Sequence, residues 1–411
     1  MFFDHRTRGG LSFVARSGDS APGTDAVFAS GGFFIGTFQD LELSDSGHVV
    51  FVARLAGEAI DFENSEALYR HHNDSGLSLL LRAGDQAPDM PVETRISGFV
   101  EVKLTESGRA SFVGMLNGPE LDMSNDTALY RELKTEPGQF ELIAQAGTQV
   151  PGLAEGVDFG WLFFADTASN DRGDLAFYTP LEGDGVDDSN DAAIFVDRHD
   201  GGLELVARMG SPTPGVGDDA EFGDFLVRVG QPSPQLNARG QVAFFAEVVG
   251  QGPGNSEKRA IYAQDVFGDL HLIAREGEQI DVSDDPLAPD LRTIKTLTIE
   301  GTSSNSEEDP RSWLNDRGQI AFVAEFTNNT SGVFVSNAVA LPDGDFNADL
   351  LVSAADYAVW RDTAGGLDLY DEWVAGFQPP GEVAAATVAV PEPGSVLLAV
   401  VACVGGCRRR R

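Results

Sequence analysis

The chain has 411 residues, with 65 acidic against 28 basic side chains and a formal net charge of −37. Acidity of that size excludes nucleic acid as a partner, because no basic patch precedes the last four residues. Both cysteines, Cys403 and Cys407, fall in the terminal apolar run, so no disulfide holds the body together and packing must stabilise it.

Taken from its start, MFFDHRTRGG carries charges where a secretory signal needs about 7–15 apolar residues. Phe2–His5 and Leu11–Asp19 align with Leu68–His71 and Leu77–Asp85. The chain thus opens in the middle of a repeat. The true start, with its export signal, is expected upstream.

Five versions of one stretch then follow: LSDSGHVVFVARL at Leu43–Leu55, LTESGRASFVGML at Leu104–Leu116, SNDRGDLAFYTPL at Ser169–Leu181, LNARGQVAFFAEV at Leu236–Val248, and Leu314–Phe326. Asn, Ser or Thr three residues before Gly predicts a type I turn, closed by left-handed glycines at Gly47, Gly108, Gly173, Gly240 and Gly318. The alternation after each glycine predicts a strand, and the apolar character of both its faces predicts cover on both sides. A structural role is the expectation for the motif. Three further segments recur with it. ALYR at Ala67–Arg70 and Ala128–Arg131 is echoed by AIFV, AIYA and GVFV, the last at Gly332–Val335. LLLRAGD at Leu79–Asp85 has counterparts at Leu142, Leu205, Leu272 and Phe13. A looser apolar segment, such as Phe99–Leu104, precedes each turn. Four short strands per period of 61 to 78 residues predict an all-β propeller of about five four-stranded blades over residues 1–340, closed by pairing of terminal strands. An open sandwich or solenoid is the alternative.

Asp61, Asp122 and Asp187 recur in the loops between second and third strands, with Asn64, Asn125 and Asn190. They read either as cation or ligand sites on one face or as side chains that satisfy their own turns.

The turn-strand pattern resembles the NxxGxxAF tandem-repeat family of secreted bacterial proteins. Asn170/Gly173/Ala176/Phe177, Asn237/Gly240/Ala243/Phe244 and Asn315/Gly318/Ala321/Phe322 match in full. Ser44 with Val50, and Thr105 with Ser111, depart from it.

From Leu341 the composition changes. Asp345, Asn347, Asp349, the Leu351 carbonyl, Ser353 and Asp356 have the oxygen-ligand spacing of a calcium loop. Leu350 replaces the usual turn glycine, and Asp356 stands where a bidentate Glu is common. The segment, 341–380, resembles half of a dockerin-type repeat of planctomycete surface proteins, with helices over Ala354 to about Arg361 and Leu369–Phe377. Weak Ca²⁺ binding and a cohesin-like partner are what the resemblance implies; an acidic turn capping a helix without metal is the other reading.

After a linker at 381–389, Pro391-Glu392-Pro393 leads into an apolar run ending at Cys407, then Arg408, Arg409, Arg410 and Arg411. Fourteen residues make a helix of about 21 Å against a hydrocarbon core of about 30 Å, and the arginines hold the end on the cytoplasmic side. Residues 390–411 resemble a PEP-CTERM sorting signal. That implies processing by an exosortase, a membrane association through the C-terminal helix and an extracytoplasmic location.

The six histidines are scattered, and no HExxH, GxSxG or phosphate loop occurs. Glycoside hydrolysis needs only two carboxylates across a cleft, which spacing alone does not identify. The expected function is a non-enzymatic surface or matrix protein binding a glycan or protein. An extracellular polysaccharide hydrolase and a docking protein are the alternatives. Inward carboxylates facing each other would favour the hydrolase, and an apolar channel the binding protein.

Overall fold

Turn glycines at fixed offsets and aromatic–aliphatic strands set the architecture of the chain, described here from a computed structural model. The structure describes residues 13–31, 36–225, 234–250, 258–299 save 284 and 286, 313–347, 351–362 and 367–377. Two compact units are present, Met1–Val339 and Ala340–Arg411.

The first unit is an all-β, propeller-type series of five antiparallel sheets. Sheet one holds β1 (Val27–Phe28), β2 (Phe38–Leu43), β3 (Val49–Ala56), β4 (Glu66–His72) and β5 (Gly76–Arg82). Sheet two holds β6 (Arg95–Leu104), β7 (Ala110–Asn117), β8 (Thr127–Glu132) and β9 (Phe140–Gln145). Sheet three holds β10 (Val157–Phe159), β11 (Thr167–Ser169), β12 (Leu175–Gly183), β13 (Ala192–Arg198) and β14 (Gly202–Arg208). Sheet four holds β15 (Ala220–Phe222), β16 (Gln235–Leu236), β17 (Val242–Gly250), β18 (Lys258–Gln264) and β19 (Leu270–Arg275). Sheet five holds β20 (Gln279–Asp281), β21 (Leu291–Thr298), β22 (Ile320–Phe326) and β23 (Ser331–Ser336). In sheets one, three and four, two short pieces pair with one second strand, where sheet two has the single bulged β6.

Strand alternation joins the sheets. Phe112 of β7 packs with Val52 and Leu68 of sheet one, while its neighbour Val113 packs with Phe159 and Phe177 of sheet three. Equivalent cores join sheets three and four through Val196 and Phe244, and sheets four and five through Phe245 and Trp313. Each fully buried aromatic contributes about 1.5–3 kcal/mol of transfer free energy. The Phe of the repeat also stacks on the aromatic directly opposite it on the third strand. Ring centroids are 5.9 Å apart for Phe51–Tyr69, 5.3 Å for Phe112–Tyr130, 5.8 Å for Phe177–Phe195, 5.9 Å for Phe244–Tyr262 and 5.6 Å for Phe322–Phe334. This cross-strand pair explains why both recurring segments carry an aromatic.

Sheet five differs from the expectation of two covered faces. Ala321 and Glu325 are exposed on β22, and Val333 and Val335 of β23 are 78% and 59% exposed. Among the described residues β23 pairs with β22 alone, and no hydrophobic cluster joins sheet five to sheet one. The expected pairing of terminal strands is not seen among the described residues.

In the second unit, α1 (Ala354–Asp362) and α2 (Leu367–Gly376) pack through Tyr357, Trp360, Tyr370 and Trp373. The Trp373 indole donates to the Ser353 carbonyl at 2.6 Å. Among the described residues, no helix is long and apolar enough to cross a membrane. The sorting-signal residues Pro391, Glu392, Pro393 and Arg408–Arg411, with the apolar run between them, lie outside the described residues.

Candidate active site on the inner strands

The first strands of consecutive sheets lie against one another, β2 on β6, β6 on β11 and β11 on β16. They are therefore innermost. Each of the first two carries a bulge at one repeat position, four residues before the turn Ser or Thr. Pairing shifts between Gln39 and Glu42 in β2 and between Val100 and Lys103 in β6. The bulge residues, Asp40 and Glu101, adopt left-handed φ values of 46° and 50°. A left-handed backbone at a residue with a Cβ costs roughly 1–2 kcal/mol, so the fold gives up stability to hold two acidic residues in the same bulged conformation. Asp166, four residues before Asn170, is their counterpart in sheet three.

These groups act on one another. Burial first, then the Asp166 charge, pushes the Glu101 carboxyl up to about 6, with Asp40 and Glu42 adding to it and Lys103 opposing. Asp40 is raised by desolvation against the pull of Lys103, and Glu66 is raised chiefly by burial. Lys103 Nζ lies 3.2 Å from Glu42 Oε1. The result is a carboxyl raised to about 6 among neighbouring carboxylates, a perturbation of the kind that acid–base catalysis uses. Five residues before Asp166, Trp161 stacks on Phe163 with centroids 4.9 Å apart and remains 40% exposed.

Aligning the repeats on their turns would have shown Asp40, Glu101 and Asp166 in one column. That alignment, and not any motif, was the available signal.

The turn residues expected to be structural form a ladder between sheets. Gly47, Gly108, Gly173, Gly240 and Gly318 all have φ between 82° and 97°. Asn170 donates to the Asn237 carbonyl and Asn237 to the Asn315 carbonyl, each at 2.9 Å. Asp45 N donates to Glu106, Ser107 N to Asp171 and Ala238 N to Asp316. The turns are thus contacts between sheets as well as bends within them.

The loop acids satisfy their own turns. Asp61, Asp122 and Asp187 accept from the backbone N–H two residues on, at 2.9–3.0 Å, and Asn64, Asn125 and Asn190 accept from the Asp N–H. Ser124 and Ser189 hold Asp122 and Asp187 below the usual carboxylate range. Nearby, a cavity of about 470 Å³ between sheets three and four is lined by Asp188, Asp191, Glu221, Asp224 and Glu247. Burial, then Asp188 and Asp224, raises Asp191.

Among the calcium-loop residues, Asp349 lies outside the described residues. Asp356 is buried and accepts three backbone N–H bonds, from Phe346 at 2.8 Å, Asn347 at 3.0 Å and Ser353 at 2.7 Å. Burial alone would raise its carboxyl; the three donors outweigh that and hold it low. Ser353 Oγ accepts from Ala355 N at 3.1 Å, which makes Ser353 and Asp356 a reciprocal cap on α1. Asp345 is buried, and Leu351 is 67% exposed. Among the described residues no cluster of three His, Cys, Asp or Glu side chains is placed to hold a metal.

Among solved structures the chain is similar to a Lactobacillus plantarum protein, at 18% identity over 58% of this chain and 54% of that one, TM-score 0.25. It spans about half the length of that structure. A PL25 ulvan lyase is similar at 8% identity over 75% and 68%, TM-score 0.31. The Penicillium chrysogenum α-L-arabinanase is similar at 11% identity over 73% and 77%, TM-score 0.27. No curated protein matches. The expectation of a non-enzymatic surface or matrix protein is corrected here by the inner strands, which bring interacting carboxylates together, the feature that favours the hydrolase alternative. The model of the family of unknown function DUF7453 matches residues 1–133 and 93–346, and the chain belongs to that family.

Proposed function

We propose that the chain is a glycan hydrolase working at the inner carboxylates. The observation that supports this reading is the placement of Asp40, Glu101 and Asp166 at one repeat position of three adjacent sheets, with the first two held in left-handed bulges. Glu101, neutral up to about pH 6, would protonate the leaving glycosidic oxygen. Asp166 or Asp40 would supply the ionised partner, as nucleophile or as base for water. The exposed Trp161 face suits the apolar side of a pyranose ring. A net charge of −37 and an acidic site disfavour polyanionic glycans, so the substrate class is neutral polysaccharide. Delivery outward by the C-terminal signal, through exosortase processing, belongs to the same proposal.

The test is release of reducing ends from a panel of neutral and anionic polysaccharides by the full chain. Activity on a neutral glycan, lowered at least ~100-fold in Glu101→Gln, is the expected result. Equal rates for the variant would remove Glu101 from the chemistry.

A further inference from the structure

Sheets one to four each end in a fourth strand, β5, β9, β14 and β19; among the described residues sheet five has none after β23. One copy of the fourth-strand sequence has no sheet. It is Phe13–Arg16, in FVARSGD.

That copy behaves as the others do at both of its ends. After each fourth strand the glycine N–H donates to the incoming first strand: Gly84 to Ile96 at 2.7 Å, Gly147 to Phe159 at 2.7 Å, Gly210 to Phe222 at 2.8 Å and Gly277 to Ile294 at 2.9 Å. Gly18 makes the same bond to Phe28 at 2.8 Å, with φ +85°. The strand residues also pack forward onto the following sheet. Leu80 and Leu81 pack on sheet two, Ile143 and Ala144 on sheet three, Val206 and Ala207 on sheet four, Ile273 and Ala274 on sheet five. Val14 and Ala15 take that place on sheet one. A fourth strand is therefore seated on sheet one with its own sheet missing beside it. Its outward side is uncovered, since Phe13 is 69% exposed, and Val333 and Val335 are exposed on β23, which among the described residues pairs with β22 alone.

We propose that Phe13–Arg16 is the fourth strand of sheet five within the same chain, so that β23 docks along it and the series of sheets closes. Sheet four sets the register. There Ala260 faces Arg275, Ile261 faces Ala274 and Tyr262 faces Leu272. Tyr262 and Phe334 lie opposite the repeat Phe residues, Phe244 and Phe322, and so are equivalent. Gly332 then faces Arg16, Val333 faces Ala15 and Phe334 faces Phe13. Pairing of this kind covers two exposed valines and satisfies an open edge, which otherwise templates aggregation. It stands apart from the catalytic reading and survives its failure.

The test uses the full chain with Cys403→Ser and Cys407→Ser, adding Ala15→Cys and Val333→Cys. Under mild oxidation the expected product is an intramolecular disulfide in the monomer, seen by peptide mass. A pair moved two residues along, Ala15→Cys with Val335→Cys, should link at least tenfold more slowly. Links found only between chains would overturn the proposal in favour of a second copy, and no link between maleimide-reactive thiols would overturn it outright. Hydrogen exchange on the unaltered chain guards against misfolded variants: β23 amides should exchange as slowly as those of β18, and free-edge rates would sink the pairing.

Discussion

Arg131 Nη1, on the third strand of sheet two, donates to the Gly173 carbonyl in the turn of sheet three at 2.6 Å. The same guanidinium pairs with Glu141 and Asp197, each at 2.7 Å, and is only 8% exposed in its side chain. Arg70 makes the equivalent bond to Gly108 at 2.7 Å, backed by Glu132, and Arg198 reaches the Gly240 carbonyl. Two of these arginines end the ALYR segment, and Arg198 comes from a different sequence position to the same target. A charged group thus ties the turns at Gly108, Gly173 and Gly240 to the sheet before each. Arg131→Leu leaves Glu141 and Asp197 without their cation; the expected loss is about 3–5 kcal/mol, measured by urea denaturation. A loss under ~1 kcal/mol would mean the clamp contributes little.

Gly108 has φ +83°, and a Cβ there would meet the His48 ring at 2.5 Å. Gly76 has φ +76° with open space around it. Gly76→Ala should therefore cost only the left-handed strain, about 1–2 kcal/mol, and Gly108→Ala clearly more. Equal melting temperatures for the two variants would contradict the ladder of stacked turns.

Glu101 is raised from 4.5 to about 6. A carboxyl raised on folding favours its protonated form, so its stabilising effect is present below about 4.5 and is lost as pH rises through about 6. A rise of that size corresponds to ~2 kcal/mol. Glu101→Gln should accordingly raise stability near pH 7.5 and change little near pH 4. Wild-type turnover should fall above about pH 6 as the acid ionises. A variant no more stable at pH 7.5 than the wild type would show that Glu101 is not held under this load.

Asp356 is the opposite case, with its carboxyl held low by three amides. Its contribution is present at neutral pH and is lost as pH falls through the ordinary carboxylate range. Asp356→Ala should unfold α1 against α2, read as loss of near-ultraviolet signal from Trp360 and Trp373. The cost should be on the order of 1–3 kcal/mol for the donors left without a partner. If the variant keeps the wild-type spectrum, the cap is dispensable.

The repeat was legible because its physics is local. A type I turn closed by a left-handed glycine, followed by alternating residues, is written within about a dozen positions, and five copies reveal an all-β propeller-type series. The helices at 354–362 and 367–376 were legible for the same reason. The pairing of Phe112 with Tyr130, and the reach of Arg131 to Gly173, join residues that no short window contains. The acidic column of Asp40, Glu101 and Asp166 shows once the repeats are aligned on their turns, but among 65 acidic residues it is the bulges and the mutual approach of the inner strands that mark it as a place where carboxylates meet. Sequence by itself determined the repeating unit, since backbone geometry follows from near neighbours. Tertiary structure alone decided which carboxylates meet and which carbonyls the arginines clamp, because charge, burial and exposure depend on groups brought together from distant sheets.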